Sequence, residues 1–484
     1  MRHALALLSP LLPLPLLGAC TVGPDYKGPP AVAADAVARG GFVRARDAAL
    51  TPAPGLARWW ETLGDATLTA LVDDALAHSP TIDQAQARIR EAQAQYRQQR
   101  AARLPSVSGS AVYLNARLPG VDLGGGSQGS GGGDDTTLEF YNLGGTASWE
   151  PDLFGGGRRT LEQGRATEAQ RFAQLADAQV SLSARVAQAY VALRDVQERA
   201  RLNASASALQ RRQLTLTRQR YAAGTASALQ VERLQNQLNS TDAQTIPLQA
   251  QIEEYLGQIA ILTGRTPGAL DATLSTIAPV PLPPAQVPIG DPAALIAHRP
   301  DIRAAERALA AGNAQIGVKT AAMFPSLRFM GIFGLGGTGI ADAVDPSKLT
   351  TLAAPMLNWS FLDFGRNRAA VAQAEAQRDG AAAQYRQTVL EALQDAETSL
   401  SRFGNTRAQL GQLLQAEASA NRAAQLNAQR VAAGTSTLID QLDVERQRLS
   451  AAIAVAQARA QLTGQYIAVQ KSLGLGWRDP SARP

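Results

Sequence analysis

The sequence predicts a mainly α protein with strands of membrane type, built from two internal repeats that each join a long α-helical hairpin to a β-hairpin. Three observations carry this. Arg220-Tyr221-Ala222-Ala223-Gly224-Thr225 returns 210 residues later, without a gap, as Arg430-Val431-Ala432-Ala433-Gly434-Thr435. His78 to Ser106 likewise aligns with His298 to Ser326 at an offset of 220, with Pro80/Pro300, Ile82/Ile302, Gln95/Gln315 and Pro105/Pro325 identical. Within each copy the apolar period switches from 3.6 to 2 and back, the mark of helix, strand and helix again. Self-similarity over so much of the chain means a duplicated unit.

Composition narrows the class. Over 484 residues, 46 Lys and Arg stand against 41 Asp and Glu, a net charge of +5 with no basic block, which argues against a nucleic-acid surface. Apolar residues reach 45% while aromatics stay at 5%. The apolar material is therefore mostly Ala and aliphatic, and with abundant Gln, Arg and Glu it suits long, closely packed helices.

Residues 1–19 read as a lipoprotein signal peptide. Arg2 and His3 precede an apolar run, Ala4 to Leu17, too short to cross a bilayer. It ends in Leu17-Gly18-Ala19-Cys20, and Cys20 is the only cysteine. In an exported chain it has no internal disulfide partner, and it stands where a signal peptidase would leave it N-terminal for acylation. A covalent lipid on Cys20 is expected, and Thr21 in place of Asp permits sorting to the outer membrane. No later run of 18 apolar residues offers a transmembrane helix.

Residues 20–77 form an N-terminal segment, Gly/Pro/Ala-rich and extended up to Trp59-Trp60, after which Asp65 caps a short helix bearing Leu68, Leu71, Val72 and Leu76. The first repeat spans 78–266 and the second 298–474, joined by a Pro-rich linker at 267–297 and followed by a tail at 475–484. His78 and His298 take equivalent helix-start positions. Tyr141, Leu143, Gly145, Ala147 and Trp149 alternate with polar or small residues, as do Ala353, Pro355, Leu357, Trp359 and Phe361. These strands complete hairpins over 104–150 and 324–361, the first with a Gly-rich loop. At roughly 3.3–3.4 Å per residue a tilted strand of this length spans an apolar band of about 25 Å, with Tyr141, Trp149, Trp359 and Phe361 as interface aromatics. Helices over about 158–222 and 366–432 follow, each roughly 95–100 Å long at 1.5 Å per residue. Shorter helices, about 226–263 and 436–473, return, and Pro247 is expected to kink the first of them.

Enzyme chemistry finds no foothold. No HExxH, GxSxG or Cys/His cluster is present, so neither catalytic residues nor a metal or cofactor is expected. Gly334-Leu-Gly336-Gly337-Thr-Gly339 fits GxGxxG but leads into a strand, so the dinucleotide reading fails on context. What remains is topological. Four strands do not close a barrel, and open edges are not tolerated in lipid. Two copies would supply eight strands and three would supply twelve; small, polar inward positions favour the wider, water-filled lumen. At the tip of the second hairpin, Asp440 and Asp443 lie one turn apart where the first hairpin has Gln230 and Arg233, and Arg446 lies one turn beyond Asp443.

The chain resembles the TolC-like outer-membrane factors, in the lipoprotein branch typified by OprM and NodT. The resemblance rests on Cys20-Thr-Val-Gly-Pro-Asp-Tyr26, Trp59-Trp60-Glu61, His298-Arg-Pro-Asp-Ile302, Phe324-Pro-Ser326, Asn358-Trp-Ser-Phe-Leu-Asp-Phe-Gly365 and both Ala-Ala-Gly-Thr tips. It implies a homotrimer with a twelve-stranded β-barrel in outer-membrane lipid, and a twelve-helix periplasmic α-barrel girdled by an equatorial domain. The function implied is a passive efflux duct docking a periplasmic adaptor and an inner-membrane transporter, in this branch of the resistance-nodulation-division class. The tips Ala223-Gly224-Thr225 and Ala433-Gly434-Thr435 would meet the adaptor. Asp440, Asp443 and Arg446 would form the gate. Val431, Ser436 and Gln230 depart from the residues that lock neighbouring hairpins in the best-studied member. The alternative is a non-transporting coiled-coil lipoprotein scaffold, which has no need of the alternating strands.

Overall fold

Prolines and caps set the first helix boundaries in the computed structural model, which describes residues 21–119 and 135–477. After α1 (Ala34–Arg39) and the two-residue β1 (Leu50–Thr51), a 3-10 turn at Trp59–Leu63 leads to α2 (Ala66–His78). The Asp65 carboxylate accepts the Leu68 amide at 2.9 Å, and Leu68, Leu71, Val72 and Ala75 are buried. α3 (Pro80–Ala101) starts on its proline, as α8 (Pro300–Ala321) does in the second repeat. Ser79 and Arg299 before them are extended, as a following proline requires. The two histidines are accordingly not helix-start residues: His78 closes α2, and His298 closes α7 (Pro292–His298).

β2 (Ser106–Pro119) and β3 (Asp135–Trp149) are followed by α4 (Gly156–Ala222) and α5 (Ala228–Leu262), which runs through Pro247 without interruption. The linker holds α6 (Asp271–Leu274) and β4 (Val287–Pro288), which pairs in parallel with β1. The second repeat continues with β5 (Ser326–Gly337), β6 (Leu349–Asn358), α9 (Arg366–Ala432) and α10 (Leu438–Ser472). α4 and α9 each have 67 residues, and α5 and α10 each have 35, so the duplication holds to the residue in the helices. β6 starts earlier and ends sooner than its alternation suggests. Trp359 and Phe361 lie beyond it, in the corner before α9.

Contacts divide the chain into two compact units that cut across the repeats. One takes residues up to Pro29, Glu91–Ala169 and Arg307–Ala382; the other takes Pro30–Arg90, Gln170–Glu306 and Ala383 onward. The first holds the antiparallel sheet β2-β3-β5-β6. Its register aligns Tyr141 with Gly337, Leu143 with Leu335, Gly145 with Phe333 and Trp149 with Phe329. Side chains alternate across a sheet, so Val107, Tyr113, Tyr141, Leu143, Trp149, Phe329, Phe333, Pro355 and Leu357 share one face. The opposite face carries Ser106, Ser108, Asn142, Thr146 and Ser148, with Ser106–Ser148 and Ser108–Thr146 hydroxyl pairs at 2.9 and 2.8 Å. Neither repeat is fully segregated, since Val112, Leu114 and Phe140 of the first and Met330, Ile332, Leu352 and Met356 of the second fall on that same face.

The second unit holds the large apolar core. Leu182, Val186, Ala189, Leu193 and Val196 on α4, and Val389, Ala396, Leu400 and Phe403 on α9, are buried. Trp59 and Trp60 meet edge-on at 5.7 Å between ring centroids, and Trp59 meets Tyr466 at 6.1 Å. The Tyr190 hydroxyl donates to Asp65 Oδ2 at 2.7 Å; burial and that carboxylate push its pKa up to about 12.

Candidate functional site

Both hairpin tips close by the same backbone device. α4 stops because Gly224 adopts φ +72°, and α9 stops because Gly434 adopts φ +71°, a left-handed conformation that disfavours any Cβ. The Gly224 amide then donates to the Tyr221 carbonyl at 3.0 Å and the Thr225 amide to the Arg220 carbonyl at 2.8 Å. In the second tip the Gly434 amide donates to Val431 at 3.0 Å and the Thr435 amide to Arg430 at 2.9 Å. These two bonds satisfy carbonyls that the last helical turn leaves without partners. Ala223, Gly224, Thr225, Ala433, Gly434 and Thr435 are all exposed.

The returning helices start in capping boxes. Ser227 Oγ accepts the Gln230 amide at 3.3 Å, while Gln230 Oε1 accepts the Ser227 amide at 3.1 Å. Thr437 Oγ1 accepts the Asp440 amide at 3.1 Å, and Asp440 Oδ2 accepts both the Thr437 amide at 3.1 Å and the Thr437 hydroxyl at 2.7 Å. The Thr437 hydroxyl and amide, with a smaller contribution from Arg430, hold the Asp440 carboxyl below the usual aspartate range. Of the hydroxyls Thr435, Ser436 and Thr437, only Thr437 caps; Ser436 donates instead to Asn427 at 2.7 Å within its own hairpin.

Asp443 lies one turn further along, half-exposed. Arg446 donates to its Oδ1 at 2.5 Å and Gln447 to its Oδ2 at 2.8 Å. Sequence spacing pointed to the Arg446 pair. Gln447 stands four residues from Asp443, where a helix places neighbours on one face, so the same spacing carries its signal. Asn427, nine residues before Ser436 across the turn, has no such signal. Just past the tips, Leu442 of the second hairpin packs with Val231 against Leu214, Leu234 and Leu238 of the first.

The sheet supplies the other candidate residues. Midway along the β2–β3 register, where the β3–β5 pairing ends, the rings of Tyr113 and Tyr141 lie 4.8 Å apart. Eight residues along β3, Trp149 stacks on Phe329 at 5.9 Å and donates its indole N–H to the Arg103 carbonyl at 3.0 Å. Trp359 makes the matching bond, to the Met323 carbonyl at 3.2 Å, and faces Phe361 at 5.9 Å. Trp149 is 40% exposed, Trp359 53% and Phe361 77%. Phe333 lies over Gly145, where an added Cβ would come within 2.6 Å of the ring. Cys20 lies outside the described residues, as do the signal segment and residues 120–134 of the Gly-rich loop.

A model of the family described as outer membrane efflux protein matches residues 71–265 and 292–475, one block per repeat. The chain belongs to the outer membrane efflux protein family. It is similar to the outer membrane protein OprJ of Pseudomonas aeruginosa, with 30% identity over 475 residues, 95% of this chain and 94% of that protein. It is also similar to nodulation protein T of Rhizobium leguminosarum bv. trifolii, with 27% identity and 96% of each chain covered. Among solved structures, the outer-membrane channel OprN superposes with a TM-score of 0.85 at 34% identity, over 95% of this chain and all of that one. As a member of an efflux protein family whose relatives are channels, the chain has the architecture of a conduit. Among the described residues no group of three or more His, Cys, Asp or Glu is placed to hold a metal ion.

Proposed function

We propose that this efflux protein is the exit duct of a tripartite pump, carrying substrates passively from an inner-membrane transporter across periplasm and outer membrane. The observation that carries this is the four-stranded sheet: β2 and β6 are its edges, and an apolar face bearing Tyr113, Leu143, Phe333 and Leu357 is turned to solvent. Such a sheet is unsuited to water on that face and to lipid at its edges. Three copies joined β6 to β2 close it into a twelve-stranded barrel, apolar outside and lined by Ser108, Asn142 and Thr146. Tyr113 and Tyr141 then sit at one membrane interface, and Trp149, Trp359 and Phe361 at the other.

In this reading the hairpin tips dock a periplasmic adaptor, and the transporter behind it belongs to the resistance-nodulation-division class. An acyl chain on Cys20 adds a second hold on the outer membrane. Threefold symmetry repeats the Asp443 carboxylate, with Asp440 behind it, around a constriction that attracts cations and limits flow. Single-channel recording in planar bilayers tests the reading. Discrete conductance steps from a trimer are expected; a protein that binds the membrane without conducting would instead be an envelope scaffold.

A further inference from the structure

The first residues after Cys20 are held far more tightly than a tether needs to be. The Val22 amide donates to the Phe154 carbonyl at 3.2 Å. The Arg159 side chain is only 4% exposed. Its guanidinium donates to the Val22 carbonyl at 3.1 Å, the Gly23 carbonyl at 3.0 Å and Asp25 Oδ1 at 2.7 Å, with Glu162 on its remaining side at 2.8 Å. Asn313 of α8 donates to the Pro24 carbonyl at 2.8 Å, and Arg158 reaches the Thr21 hydroxyl at 3.2 Å.

Three glycines allow this approach. Gly23 has φ +86°, and a Cβ there would lie 2.5 Å from the Gly317 Cα. A Cβ on Gly317 would strike the Arg159 stem at 2.6 Å, and one on Gly155 would strike Thr21 at 2.8 Å. A planar fork that donates to two successive carbonyls and a carboxylate is work that arginine does and lysine does not. None of these contacts involves the strands, the tips or the apolar core.

We propose that Arg159 is a positioning residue that fixes where the lipid on the chain's N-terminal end enters the membrane. Cys20 is bonded to Thr21, and a peptide unit spans no more than about 3.8 Å between Cα atoms, so holding Thr21 against Gly155 would keep an acyl group on Cys20 near the strand-to-helix corner. That corner carries the Phe154–Phe324 stack, at 4.7 Å, and leads from Trp149. The clamp makes the acyl chain and the aromatic rim one anchor at one depth, where a free tether would let them act separately. The proposal rests on acylation of Cys20, and its test separates the two.

Mass spectrometry of the mature N-terminus reads acylation alone. The clamp is read on a full-length, unacylated mature chain in lipid nanodiscs, with a nitroxide on the thiol of Cys20. In the parent protein the label is expected to be immobilised and at one depth among the headgroups. Arg159→Ala frees it, with at least a tenfold rise in hydrogen exchange at the Val22 and Gly23 amides, while strand amides keep their protection. Gly23→Ala, which leaves Arg159 intact, has the same effect, and Arg159→Lys restores only part of the restraint. A label equally mobile in parent and variants overturns the clamp. So does loss of protection throughout the sheet in both Arg159→Ala and Gly23→Ala, which would make Arg159 a general support of the fold.

Discussion

The two hairpin tips have one backbone and two chemistries. Each stops at a left-handed glycine, returns two bonds to the outgoing helix and restarts in a capping box. At the third position of the returning helix the first tip has Gln230 and the second Asp440; three residues on, they have Arg233 and Asp443. The difference shows that the fold asks only for a side-chain acceptor at that third position, which an amide and a carboxylate both supply. Negative charge is therefore not needed to build the tip. Where the second copy carries it, the charge is explained by what the tip does and not by how it folds.

The shared backbone gives the largest expected effects. Neither Gly224 nor Gly434 has anything within 4 Å of where a Cβ would go, so replacement by Ala costs conformation alone, about 1–2 kcal/mol. Local opening read by hydrogen exchange at Thr225 and Thr435 should rise about tenfold, since every 1.4 kcal/mol is tenfold, and by similar factors in both tips. A large effect in only one would show that the tips are not equivalent in backbone.

Next come the caps. Ser227→Ala and Thr437→Ala should each loosen the first turn of α5 or α10 by about 1 kcal/mol, detected by exchange at the Gln230 and Asp440 amides. An unchanged first turn in Thr437→Ala would mean that Ser436 or Thr435 takes over the cap.

The smallest effect separates the copies. Asp440 has a folded pKa below its unfolded value, which is about 3.9, because Thr437 bonds its ionised form. Its contribution is therefore fully present above the unfolded pKa and is lost as pH falls through the folded one. Exchange in the first turn of α10, corrected for its intrinsic pH dependence, should be flat from neutral pH down to about 4 and rise below that. The first turn of α5, capped by the uncharged Gln230, should stay flat throughout. Parallel curves would remove Asp440 from the cap.

Much of this was legible in the sequence. The duplication located both tips, both long helices and both β-hairpins, because Gly, Pro and the change of period act locally. The exchange of partners between repeats was not legible. Each compact unit draws on both copies; the alternation located the β2–β3 and β5–β6 hairpins, but no local pattern records that β3 of one repeat pairs with β5 of the other. The placement of His78 and His298 failed for a local reason: the residue before each proline is forced out of the helix, so the histidines end one helix instead of starting the next. At the tip, spacing showed that Asp440 and Asp443 share a face, but not that Thr437 already holds one of them. Arg159 gave little signal, since apart from Glu162 three residues on, its partners (the Val22 and Gly23 carbonyls and Asp25) lie more than 130 residues away.

If the carboxylates of the second tip control flow, as proposed, cation block of single channels reports it. Divalent or trivalent cations added on the periplasmic side should block the parent channel. In Asp440→Ala/Asp443→Ala the block should be relieved and conductance should rise, with trimer and barrel intact; Gln230→Ala/Arg233→Ala, the same change in the first tip, should leave the block in place. Unchanged conductance and unchanged block in Asp440→Ala/Asp443→Ala would contradict the account and leave these carboxylates as a capped, solvated helix face.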